Sequence, residues 1–131
     1  MRKFLLSLML LAFIGCEKDE VEDTTEYYVK YDVSCQYKVY YGSYKGSSIK
    51  VSGTGVRGTE VKDKHTSFTW SDTAGPFKKG DKVFLTVNTT APTGAVFNTD
   101  ATLSVSKSSS PFVAKRWATT QSDVNLSYVI K

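Results

Sequence analysis

Cysteine and histidine are nearly missing from this chain of 131 residues, with two of the first and one of the second. A metal centre draws on clustered His, Cys and carboxylates, and none is visible along the sequence, so no metal and no other cofactor is expected. The single histidine, His65, lies in Lys62-Asp63-Lys64-His65, which reads as a solvated loop. Acids are also sparse after residue 26: Asp32, Glu60, Asp63, Asp72, Asp81, Asp100 and Asp123 stand singly, most of them near turns, where Asp has a local structural role. No nucleophile-elbow spacing accompanies the many serines. Gly53-Thr54-Gly55-Val56-Arg57-Gly58 has spaced glycines but lacks the following helix that phosphate binding requires. These gaps argue against an enzyme. Helical periodicity is missing beyond residue 15, and no apolar run approaches the roughly twenty residues of a membrane-spanning helix.

What is present begins at the N-terminus. Arg2 and Lys3 precede an apolar run over 4–14 that only Ser7 interrupts, followed by Gly15 and Cys16. A basic flank, a short apolar core and a small residue before the cut describe an export signal. Phe13-Ile14-Gly15-Cys16 resembles the lipobox of bacterial lipoproteins. That resemblance implies cleavage before Cys16 and acylation of its thiol, palmitate included. Two or three acyl chains, at about 0.8 kcal/mol per buried methylene, would then hold the protein on a membrane. Cys35 would be left without an intrachain disulfide partner.

Six acids and one lysine occupy residues 17–26, too polar a segment to bury a core; residues 16–26 are therefore expected to be a disordered, lipidated tether. Lys18, Asp19 and Glu20 resemble the export signal of Bacteroidetes lipoproteins, in which a lysine and acids shortly after the lipidated cysteine favour display on the outer face of the outer membrane. The periplasmic face is the alternative. Asp23-Thr24-Thr25 and Asp72-Thr73-Ala74 resemble the O-glycosylation sequon of the same bacteria, which implies Thr24 and Thr73 as acceptors.

From residue 27 the pattern changes. The odd positions are Tyr27, Val29, Tyr31, Val33, Cys35, Tyr37, Val39 and Tyr41, and the even ones are Tyr28, Lys30, Asp32, Ser34, Gln36, Lys38 and Tyr40. Alternation of this kind marks a half-buried antiparallel strand, and its length predicts a bend or a change of sheet near Ser34. Cys35 falls on the inward side as a small hydrophobe. Further strands are expected over 48–55, 67–71, 82–89, 95–98, 102–107, 112–117 (an edge strand) and 124–130, with breaks at 41–46, 72–76, 79–81, 91–94 and 108–111. Such spacing predicts a single all-β sandwich of about seven or eight antiparallel strands over 27–131, with a small closed barrel as the alternative. Phe77-Lys78-Lys79-Gly80-Asp81 before a strong strand, together with the terminal Tyr128-Val129-Ile130, resembles the immunoglobulin-like surface lipoproteins of Bacteroidetes, and an immunoglobulin-like sandwich is what that resemblance implies.

Residues 27–131 carry fourteen Lys and Arg against seven Asp and Glu, a net +7. Such a charge attracts polyanions non-specifically, and at an envelope these are lipopolysaccharide phosphates and acidic polysaccharides. No nucleic-acid motif is present. Eight Tyr, seven Phe and two Trp are many for this length, and flat apolar faces beside polar groups suit sugar rings. Tyr28, Tyr40, Tyr44 and Trp117 are the candidate ligand-binding residues. The expected function is a non-catalytic, lipid-anchored envelope protein, adhesive or structural, working through contacts with other envelope proteins such as strand pairing at a sheet edge. The alternative is an accessory lipoprotein that binds carbohydrate.

Overall fold

The computed structural model describes residues 23–64 and 66–131. The signal-like segment, Cys16, Lys18, Asp19, Glu20 and His65 lie outside the described residues. The rest is all-β: β1 Tyr27–Val39, β2 Ser48–Gly53, β3 Thr59–Lys62, β4 Phe68–Phe77, β5 Lys82–Thr90, β6 Ala95–Lys107, β7 Val113–Thr120 and β8 Val124–Val129. They form two open four-stranded sheets, ordered β4-β1-β6-β7 and β3-β2-β5-β8, and every pairing is antiparallel. Only β2–β3 and β6–β7 are sequential neighbours in one sheet; the other connections cross between sheets. The result is a sandwich and not a closed barrel.

One core lies between the layers. Val29, Tyr31, Cys35 and Leu103 from the first sheet meet Ile49, Val51, Val83, Leu85 and Val87 from the second, all essentially without exposure. Burying an aliphatic side chain of this size contributes about 1.5–3 kcal/mol. The inward positions expected for β1, β5 and β8 are the buried ones, apart from Leu126, which is half-buried. At the end of the β1 alternation, Val39 and Tyr41 lie at the surface.

Several polar atoms in the core are paired with one another or with backbone carbonyls. The Tyr31 hydroxyl donates to the Thr54 carbonyl at 2.7 Å. Cys35 Sγ lies 3.4 Å from Thr99 Oγ1, and burial pushes the thiol above its ordinary pKa. Tyr37 packs on Phe97 at 4.9 Å between ring centroids, and its hydroxyl donates to the Ser43 carbonyl at 3.2 Å.

Four strand expectations are corrected. β1 does not change sheet near Ser34: it stays in unbroken register with β6 from Tyr27↔Lys107 to Val39↔Ala95. The two short strands expected over 95–98 and 102–107 are the single β6; Thr99, which resembles a break, points inward and is satisfied by Cys35. Residues 72–76 do not end β4, which runs on through Gly75 and Pro76. β4 is an edge strand, so the missing proline N–H removes no ladder bond, and one extra residue on β4 is taken up as a bulge between Ala74 and Phe77. Finally, β3 was not anticipated. It is four residues long, half-buried at best, and lies at an edge.

Candidate functional site

Because side chains alternate along a strand, the even positions of β1 face outward on the first sheet, and register aligns them with neighbours. Ser71 of β4, Asp32 of β1, Thr102 of β6 and Trp117 of β7 form one row across the sheet. Thr69, Ser34, Asp100 and Thr119 form the next. Three strand spacings of about 4.8 Å separate Ser71 from Trp117, and the rows stand about 7 Å apart. An open depression of about 330 Å³ follows these rows, lined by Asp32, Ser34, Thr69, Ser71, Asp100 and Thr102. Trp117 stands beside it, 69% exposed.

The polar groups are partly ordered. Ser71 Oγ donates to Asp32 Oδ1 at 2.9 Å, and Thr119 Oγ1 donates to Asp100 Oδ1 at 2.7 Å. Lys30 Nζ lies 3.9 Å from Asp32 Oδ1, with both side chains nearly half exposed, an arrangement that contributes little. The second oxygen of each carboxylate has no protein partner among the described residues. The face thus offers two carboxylate acceptors at diagonal positions, a set of hydroxyls that both donate and accept, and one indole face. Among the described residues no group of three His, Cys, Asp or Glu could hold a metal.

The four aromatic candidates fall in three places. Trp117 is on the outer face just described. Tyr28 lies on the same face near the start of β1, half-buried, its hydroxyl donating to Glu26 Oε2 at 3.0 Å. Tyr40 and Tyr44 lie beyond the other end of β1, 70% and 39% exposed. Twelve strand steps from Tyr28 to Tyr40 correspond to about 40 Å, so no single ligand of ordinary size touches all four. Thr24 is exposed on the segment before β1, and Thr73 is exposed on β4, its N–H donating to Asp72 Oδ1 at 2.8 Å.

Asp32, Ser34, Asp100 and Thr102 were not among the sequence candidates. The alternation already placed Asp32 and Ser34 on the outer face; what was missing was the β1–β6 register that sets Asp100 and Thr102 beside them. No protein-family model matches the chain, and no curated protein or solved structure is significantly similar to it.

Proposed function

We propose that this is a lipid-anchored, non-catalytic envelope protein whose domain binds a neutral carbohydrate on the outer face of β4-β1-β6-β7. The observation that carries this reading is the placement of an exposed Trp117 in one row with Thr102, Asp32 and Ser71. An indole takes the apolar face of a sugar ring, and carboxylates and hydroxyls take its hydroxyl groups. Asp32 and Asp100 repel anionic sugars, so the preference is for uncharged ones although the domain as a whole is basic. Affinity electrophoresis in gels of neutral polysaccharides tests it. Retardation should be lost in Trp117→Ala, with about 2 kcal/mol or more of binding removed, and reduced in Asp100→Asn. Tyr44→Ala, at the far end, should migrate like the parent. A retardation that survives Trp117→Ala sinks this assignment.

One observation favours a second reading. β7 is an edge strand, and Phe112, Val113 and Trp117 on it or just before it are 41%, 55% and 69% exposed. An unpaired edge with apolar side chains is a template for strand addition by a partner protein. Cross-linking in cells that recovers only the monomer counts against it.

A further inference from the structure

Another opening lies between the layers, where β7 and β8 face one another, and is separate from the outer face proposed to bind carbohydrate. It is a slot of about 200 Å³. Its floor is formed by Tyr27, Val105, Tyr128 and Ile130, each less than a tenth exposed. The Arg116 guanidinium covers the Tyr128 ring at 5.1 Å. Two lysines, Lys107 and Lys115, stand beside the slot together with Lys131, which brings both an ammonium and a terminal carboxylate, and no Asp or Glu lines it.

Two observations show that the slot is unfinished as protein. First, neither the Tyr27 nor the Tyr128 hydroxyl has a hydrogen-bond partner among the described residues, although both side chains are more than nine-tenths buried. No fully buried polar atom among those residues lacks a partner, so both hydroxyls reach solvent, and the slot is the opening that both residues line. Second, the only ion pair among the described residues is Lys30–Asp32. Asp23 feels the field of Lys107, but Lys115 has no acidic partner among the described residues.

We propose that this slot binds a small amphiphilic anion, a carboxylate or sulfate on an apolar body between benzene and a short acyl chain in size. An apolar cavity of about 150 Å³ accommodates benzene, so the volume suits such a body. The lysines and the two phenol hydroxyls hold its charged end. An inorganic anion has no use for the aromatic floor, and a neutral chain leaves the lysines unpaired.

The test is titration of the full chain carrying Cys16→Ser, followed by NMR at the amides of Val105, Val113 and Ile130. The probes are octanoate, octyl sulfate, octanol and inorganic phosphate. Octanoate or octyl sulfate should bind about tenfold or more tightly than octanol or phosphate, and which of the two is preferred separates carboxylate from sulfate recognition. Lys107→Ala and Lys115→Ala, the first exposed and the second half-buried, should together weaken that binding about tenfold while the protein stays folded. Equal binding of octanol, equal binding of phosphate, or no effect of the lysine substitutions would each overturn the proposal. The Trp117→Ala variant should bind octanoate normally, which keeps this outcome distinct from that of the carbohydrate face.

Discussion

Tyr31 shows how much one residue carries. It heads the large side chains that are fully buried, and burial pushes its phenol from 10.0 up to about 12, with the bond to Thr54 pulling the other way. The folded state therefore favours the neutral phenol, while the unfolded chain ionises near pH 10. The resulting stabilisation is fully present below pH 10 and is lost as pH rises toward about 12, at about 1.4 kcal/mol per unit. The urea midpoint should accordingly begin to fall above about pH 9.0, where the unfolded Cys35 thiol ionises and the folded one does not, and fall more steeply above pH 10 through Tyr31. Tyr31→Phe should lower neutral stability by about 1 kcal/mol and flatten the alkaline fall. An alkaline profile identical to the parent's would show that Tyr31 is not the group responsible. Cys35 belongs to the same scale. Its buried, raised thiol should stay unreacted with a disulfide reagent until denaturant is added. Both inward placements were legible in the alternation of 27–41. The partners Thr54 and Thr99 were not, because they arrive from distant parts of the chain.

Among the elements, the β5–β6 turn is a tight constraint. Gly94 has φ +89, and a Cβ there would collide with the Tyr41 carbonyl oxygen. Its own carbonyl accepts from the Tyr40 and Tyr41 N–H groups at 2.7 and 3.2 Å, which clips the end of β1 to the turn. Gly94→Ala combines a strained backbone with a backbone clash, so a loss of about 2–3 kcal/mol is expected, read from the denaturant midpoint. An unchanged midpoint would remove this turn from the account. Strong strands such as β5 were legible because each inward position is aliphatic. β6 reads in the sequence as two strands with a gap at 99–101, where Asp100 is a turn-like residue; the inward position held by Thr99 is acceptable because Cys35 Sγ lies within hydrogen-bond distance of its hydroxyl. β4 looked too short because Gly75 and Pro76 punctuate turns. Only the edge position of β4 makes them tolerable within a strand.

For the whole molecule, the proposed anchor and the basic domain make one testable unit. Protease added to intact cells should remove the domain if it is displayed outside, and protection until lysis would place it in the periplasm. Cys16→Ser should abolish palmitate labelling and move the protein out of the membrane fraction; retention of label would refute the lipobox reading. No described helix is long and apolar enough to cross a membrane. The all-β class, the inward faces of the principal strands and the end of the polar segment near residue 27 were written in the sequence by itself, because alternation and composition are local properties. Strand order, register and edge status were decided only in the tertiary structure. They depend on which segments meet across the core, and local pattern carries no label for a partner. The candidate face follows the same division: Asp32, Ser34 and Trp117 were readable one by one, but only the β1–β6–β7 register sets Asp32, Thr102 and Trp117 side by side.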